Sequence, residues 1–414
     1  MRERAKQFDA RLALIALAAL LLRALYLFTV GRHVAGFGDW HFYNGTAALL
    51  ADGKGFIDPF AAASGAEIPS AKHPPLYPIV LAPISLLGFD QWIAHRSLGL
   101  LLGPITVVLI GLLGRRVAGP RTGLVAAAIA AIYPIFIAVD GALMSEVLYG
   151  PLFVGTLLLA YRLHDRPSAR VAAALGAVVA LAALTRSEAL LLVPLLVVPI
   201  AWRARPDWRG RATLIVTACV ACALVLAPWT IRNWSAFDRP VPISTQDGSV
   251  LAGANCATTY YGELLGHWDF SCISPTRREN EAVQSEIWRD EGLDYAKEHA
   301  GRLPVVVAVR LLKGWELYQP REQVQFAEGR QKDVQRAGIL VYYVLAALAL
   351  YGAVLLRRRG ETLWILLAPA VLVSIASVTG YGFSRLRHAA EFSIVVLAAV
   401  AITSLWERRR ERAT

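Results

Sequence analysis

Charged residues make up only 18% of the 414-residue chain, against about 25% in an average soluble domain. That is too little polar surface to cover a water-facing globule of this length. Four cysteines exclude a disulfide-rich scaffold, and the Cys and His positions show no metal-ligand spacing, so no required ion and no cofactor are expected. No internal repeat or low-complexity tract stands out, which counts against a solenoid and against a transporter built from repeated halves. Lysine is scarce as well, six of the 42 basic residues.

What is abundant is apolar sequence: 56% of residues are hydrophobic and the mean hydropathy is +0.48. The composition predicts an all-α polytopic membrane protein with the lipid bilayer as its solvent. A formal net charge of +11 would suit a nucleic-acid partner, but the basic residues fall in short clusters between apolar runs. That pattern sets membrane topology, and nucleic acid is not expected. Stretches near the ~20 residues that span a bilayer as helix lie at about 10–30, 92–113, 121–139, 144–162, 169–186, 187–203, 211–230, 336–356, 361–380 and 386–406. About ten transmembrane helices are therefore predicted. With MRERAK inside, the clusters GRRVAGPR, RLHDRPSAR, RARPDWRGR, RRR and ERRRER all fall on the same side, as the positive-inside rule requires. Both termini are then cytoplasmic in the plasma (cell inner) membrane. The first apolar run is longer than the core of a secretory signal. RLPVVVAVRLLKGWELY (302–318) is short and holds Arg310 and Lys313, so it is read as an interfacial helix rather than a further span.

Three regions follow: an N-terminal transmembrane module (1–230) with a first outer loop (31–91), an extracytoplasmic subdomain (231–335), and C-terminal transmembrane helices (336–414). The subdomain is expected to be α/β. Its VPISTQDGSVLAGANC stretch alternates like a strand, and an amphipathic helix follows around Ile287, Trp288 and Tyr295. Cys256 and Cys272 lie on the oxidising face and are expected to pair, closing a loop whose entropy contribution is about 3 kcal/mol. Cys219 and Cys222, spaced C-x-x-C in the seventh span, read as small buried thiols rather than a redox pair.

The polar residues of interest collect on the outer side. Asp39 opens a short helix after the first span, in GFGDWHFYNG, with Tyr43 one turn on. It is placed either to cap that helix or to act at a site. His73 precedes the rigid Pro74–Pro75 entry to another short helix. Ser145 and Glu146 follow the third span, with Ser145 as a cap and Glu146 in the favourable first turn. Arg186 and Glu188 join the fifth and sixth, Arg232 ends the seventh, and Arg385, Arg387, His388 and Glu391 open the tenth. Arg387 and Glu391 have the i,i+4 spacing of a helix ion pair. Arginines at short outer junctions oppose the positive-inside bias, and a bound anion gives them a reason to be there. Arg23 and Arg96 either line a lipid path or snorkel to the headgroups. The sequons at Asn44 and Asn233 crowd this region and are read as coincidental.

The ordered set of an acid after the first span, HPPLYP, GRRVAGPRTGLVAAAIAAIYP, MSEVLYGPLF, LTRSEALLLVPLL, APWTIRNW and SRLRHAAEF resembles the GT-C superfamily. Within it, the set is similar to the family-39-like transferases related to protein O-mannosyltransferases and lipid A aminoarabinose transferases. The resemblance implies the GT-C fold and an integral membrane glycosyltransferase. Such an enzyme moves a hexosyl or pentosyl group from a polyprenyl-phosphate-linked sugar to an extracytoplasmic hydroxyl acceptor (glycan, lipid or protein), with inversion in one displacement. It implies Asp39 as catalytic base and Glu146 as the second-loop acid holding hydroxyls. Arg186, Arg232, Arg385 and Arg387 become candidates for the phosphate, with Tyr43, His73 and Glu188 organising the substrate site. Many relatives carry a second acid directly after the first; Trp40 stands there in this chain. The alternatives are another membrane glycan ligase or polymerase, and a polytopic transporter.

Overall fold

The computed structural model of the chain describes residues 2–36, 38–205, 207–275, 280–326 and 328–411. Arg412, in the last basic cluster, lies outside them. The main helices are α1 (Arg2–Thr29), α2 (Asp39–Ala51), α3 (Leu76–Leu86), α4 (Leu98–Ala118), α5 (Pro120–Ile132), α6 (Pro134–Asp140), α7 (Glu146–Asp165), α8 (Ala169–Ala183), α9 (Val198–Ala204) and α10 (Trp208–Phe237). They continue with α11 (Gln246–Ala254), α12 (Glu281–Glu298), α13 (Leu303–Gly314), α14 (Lys332–Arg358), α15 (Trp364–Thr379) and α16 (His388–Glu411). Each of the ten apolar stretches is largely helical. Among the described residues, seven helices are long and apolar enough to cross a bilayer. An eighth candidate is the pair α5–α6, bent by 60°. Pro134 causes the bend: it has no N–H to give, and it holds Tyr133 extended at ψ 117°. The helices α8 and α15 are shorter. The chain is a multi-pass membrane protein.

The last helix is the hub. The apolar stretch of α16 is 78% buried against 22% for α1, as expected for a helix apolar on every side. Close packing elsewhere uses small residues. A Cβ on Gly176 of α8 would meet the Ala218 carbonyl of α10 at 2.0 Å, the close backbone approach that glycine permits in membrane bundles.

Three local expectations are corrected. The strand expected across 241–256 is largely helix α11, so among the described residues of 231–335 the structure is helical rather than α/β; the only β pairing among the described residues is an isolated bridge, Ile57 to Pro69. Gly248 lets α11 lie against Ser285 of α12, where no Cβ would fit. Asp39 does not cap α2: Gly38 holds the N-cap position at φ 65°, and no side chain caps the helix. Ser145 makes no capping bond to α7 either.

The expected amphipathic helix is α12, and Cys256 and Cys272 are joined. Helix α13 has 12 residues, too few to cross a bilayer. Arg310 and Lys313 on it face inward: Arg310 donates to Asn255 Oδ1 at 3.0 Å, and Lys313 is fully buried. Cys219 and Cys222 are free thiols on α10; Cys222 is buried as expected, while Cys219 is exposed.

Candidate active site

Asp39, His73, Glu146, Arg186, Glu188 and Arg385 come together although the chain supplies them from five separate segments. Arg385, in the turn before α16, is the centre. Its guanidinium bonds the Glu146 carboxylate at the start of α7 through Nε and Nη2, and Nη1 donates to Asp39 Oδ2 at 3.0 Å and to Glu328 Oε2. Arg186 Nη1 donates to Glu146 Oε1 at 2.7 Å, and its Nε donates to Glu188 Oε1 at 2.6 Å. Glu146 is 3% exposed and is held between two guanidinium groups, as a buried carboxylate must be to stay charged. Burial works against the charge on Arg186, but Glu188 and Glu146 outweigh it and raise its pKa.

Gly38 permits the turn that delivers Asp39. Its φ of 65° lies in a region a side chain disfavours, and the next residue's carboxylate swings toward Arg385. His73 Nε2 lies 3.4 Å from Asp39 Oδ1. The imidazole is walled by Phe42 and Tyr43, with ring centroids 4.7 and 5.2 Å away, and Gln246 hydrogen-bonds it. Burial lowers the His73 pKa to about 4 despite Asp39, so the ring is neutral at pH 7. For Asp39, burial favours the neutral acid, but His73 and Arg385 outweigh it and hold the carboxyl below the usual range. Asp39 is thus an ionised carboxylate, 27% exposed, beside a neutral imidazole.

These groups line a cavity of about 510 Å³. Asp39, Tyr43, His73, Arg186 and Arg385 form its polar wall, and Leu191 and Ala376, with Leu386 from the turn before α16, form an apolar one. Ser244, Gln246 and Asp247 enter from the segment that opens α11. Glu281, at the head of α12, secures that segment: it accepts from Ser70 Oγ at 2.7 Å, from the Ala71 N–H at 3.0 Å and from Thr245 Oγ1. It thereby fixes the loop that carries His73.

Other expected residues lie elsewhere. Arg387 is buried in a separate cluster, donating to Glu316 Oε2 at 2.6 Å and to Glu391 at 2.9 Å, with its guanidinium 3.5 Å from the centre of the Tyr342 ring. Arg232 does not reach the cavity. It donates to the Ser70 and Phe56 carbonyls and stacks near Trp229, because the loop between α2 and α3 folds over the end of α10. Arg23 neither snorkels nor faces lipid: it pairs with Asp140 at 2.6 Å in the interior. Arg96 is buried too, donating to the Gly31 and Gly141 carbonyls. Asn44 and Asn233 of the two sequons are engaged internally, with His95 and with the Val241 carbonyl.

Sequence reasoning missed Glu328, Gln246 and Tyr381, the last of which also lines the cavity. Glu328 sits in a loop where only its acid in AEGR and its adjacent glycine were legible; its own φ is 35°, left-handed and rare for this residue type.

The arrangement sets two guanidinium groups, able to stabilise an anion, beside a carboxylate that can accept a proton. A family profile described as dolichyl-phosphate-mannose-protein mannosyltransferase matches residues 72–231. No curated protein matches the chain in sequence. The oligosaccharyltransferase of Archaeoglobus fulgidus, tethered with an acceptor peptide containing the NVT sequon, is similar with a TM-score of 0.58 and 16% identity, over 97% of this chain and 50% of that one. Archaeal oligosaccharyltransferase AglB of the same organism, in complex with an inhibitory peptide and a dolichol-phosphate, gives 0.56 and 16%, over 99% and 52%. ArnT from Cupriavidus metallidurans bound to undecaprenyl phosphate gives 0.40 and 16%, over 97% and 78%. The chain spans about half the length of the oligosaccharyltransferases it matches. The chain shares the fold of these archaeal oligosaccharyltransferases.

Proposed function

We propose that this transferase moves a sugar from a polyprenyl-phosphate carrier to a hydroxyl acceptor on the extracytoplasmic face of the plasma membrane, with inversion at the anomeric carbon. The observation that carries the reading is the contact between Asp39 and Arg385 at the wall of a cavity framed partly by membrane helices. A lipid phosphate entering past Leu191 and Ala376 meets Arg186 and Arg385, while the isoprenoid stays among apolar side chains. The dolichol-phosphate in the archaeal relative supports a polyprenyl phosphate as the carrier.

In the step itself, the acceptor oxygen forms a bond to the anomeric carbon as the carbon–oxygen bond to phosphate breaks. The bonding pair leaves on the phosphate, whose charge Arg186 and Arg385 offset, and the acceptor proton passes to Asp39. Attack opposite the leaving group inverts the centre, the stereochemical logic of single-displacement glycosidases. Its low pKa makes Asp39 a weak base, suited to a transition state in which proton transfer comes late. Glu146 holds both arginines in place, and neutral His73 orients Asp39.

Among the described residues, no three His, Cys, Asp or Glu side chains converge as a cage, and the space between Asp39, Glu146 and Glu328 is filled by the Arg385 guanidinium.

The test is release of labelled sugar from a synthetic polyprenyl-phosphate donor by the full chain in lipid nanodiscs. Turnover is expected in the natural chain and a fall of about 10²–10⁴ in Asp39→Asn at unchanged protein level. Equal turnover in both would remove Asp39 from the chemistry.

A further inference from the structure

A second cavity, of about 840 Å³, lies beyond Arg385 from the first. It falls in the ~300–1,000 Å³ range of clefts that hold small organic ligands, which leaves room for a few linked sugar rings. Three aromatic rings line it: Trp268 and Phe270 from the disulfide-closed loop, and Phe326 opposite. Phe270 is 75% exposed and Phe326 is 40% exposed, a cost in water unless a partner covers them. Trp268 is fixed in place. Its Nε1 donates to the Ser249 carbonyl at 2.9 Å, and the indole fills the space a Cβ on Gly253 would need. Its ring therefore needs no ordering on contact with a ligand.

The rest of the lining mixes the apolar Val34, Ala35 and Leu264 with charged and amide side chains. Asp269, Glu328 and Asp333 balance Arg330, Lys332 and Arg336, so the cavity offers no net charge to attract an anion. Planar carboxylate, amide and guanidinium groups beside exposed rings suit a sugar, whose C–H face packs on an aromatic face while its hydroxyls pair at the edge. An extended peptide finds less here: the described residues offer no strand edge to pair with its backbone. The cavity also ends next to the proposed base. Glu328 lines it and accepts from Arg385 Nη1, the same nitrogen that donates to Asp39.

We infer that this cavity is the acceptor site, and that the acceptor is a neutral carbohydrate chain stacked on Trp268 and Phe270. The assignment of acceptor rests on the proposed sugar transfer; carbohydrate binding does not.

The experiment is saturation-transfer NMR on the full chain in phosphatidylglycerol-containing nanodiscs. The probes are neutral mannan, arabinan, galactan and glucan oligosaccharides of four to six rings, alongside a threonine-rich peptide. Saturation of the C–H protons of at least one oligosaccharide is expected, weakened at least fivefold in both Trp268→Ala and Phe270→Ser. Phe270, being exposed, keeps the test open should Trp268→Ala fail to fold. No signal on any oligosaccharide, equal signal in Phe270→Ser, or signal on the peptide alone would overturn the inference, as would contact of Phe270 with lipid acyl protons instead of sugar. In a parallel arm, sugar release from the labelled polyprenyl-phosphate donor is followed. Its absence in the natural chain removes the transfer reading while oligosaccharide binding stands or falls on its own.

Discussion

Arg385 Nη1 sits 3.0 Å from Asp39 Oδ2, joining residues 346 positions apart in sequence. The guanidinium serves three carboxylates at once, Asp39, Glu146 and Glu328, so it fixes the base and also provides positive charge next to it. Lysine cannot replace this fork, because its single ammonium lacks the planar set of donors. Arg385→Lys is expected to lower donor turnover by at least two orders of magnitude. Arg385→Ala should also lower unfolding stability by about 3–5 kcal/mol, since buried carboxylates lose their counter-charge. Turnover assays with denaturation in detergent check both; a fully active Arg385→Lys would reduce the residue to a packing role.

The second prediction concerns acid. His73 has its pKa lowered to about 4 by burial, against 6.5 ordinarily. Between those values the unfolded chain binds a proton that the folded chain does not, so stability falls as pH drops from 6.5 toward 4. The slope approaches 1.4 kcal/mol per unit, roughly. The contribution is fully present above pH 6.5. His73→Asn is expected to flatten that part of the stability–pH curve. Activity should show no inflection near pH 6.5 from His73, and the Asp39 carboxyl is held below its usual range by His73 and Arg385 against burial. Unfolding curves and turnover over pH 4–8 give the measurement, and parallel stability curves for variant and natural chain would contradict it.

Arg387 shares its sequence setting with Arg385, yet its partners are Glu316 and Glu391. Arg387→Met is expected to cost about 3–5 kcal/mol of stability by stranding two buried carboxylates. The fraction that folds should keep its donor KM within about twofold. A tenfold rise in KM at normal stability would place Arg387 back in the substrate site. Donor titration on the folded fraction, isolated by size exclusion, decides between them.

Much of the fold was legible because lipid imposes simple rules. Apolar length gave ten helical segments, and the count of long spans differs only where Pro134 bends one and where α8 and α15 are short. The site was legible in part. Asp39, Glu146, Arg186 and Arg385 stood out as charges at outer junctions, where a structural reading left arginine unexplained. Arg387 and Arg232 carried the same signal for a different reason: each ties a helix end to a neighbouring segment, and periodicity does not report which face of a turn points inward. The 241–256 stretch misled because alternation over a few residues fits a strand, while packing of Gly248 against α12 favours helix. Glu328 was invisible because its role comes from a loop whose path no local pattern encodes.

Glu328 separates the two cavities. Its carboxylate reaches Arg385 from the side of the larger cavity, and an acceptor hydroxyl coming from there must displace it to meet Asp39. Several features make it displaceable. Burial raises its pKa against the pull of Arg385, its φ of 35° is strained for a residue with a Cβ, and Gly329 beside it has a φ of 75°. Removing the charge in Glu328→Gln weakens the hold on Arg385, so the guanidinium is freer to meet the donor phosphate. A threefold to tenfold fall in donor KM, roughly, is expected, since a competing ion pair of modest net strength is lost. Water should also gain access to the donor, so the ratio of free sugar to transferred sugar is expected to rise. Counting both products by mass spectrometry from one reaction gives that ratio directly. If Glu328→Gln instead abolished transfer with donor KM unchanged, Glu328 would be a participant in proton transfer and Asp39 its partner.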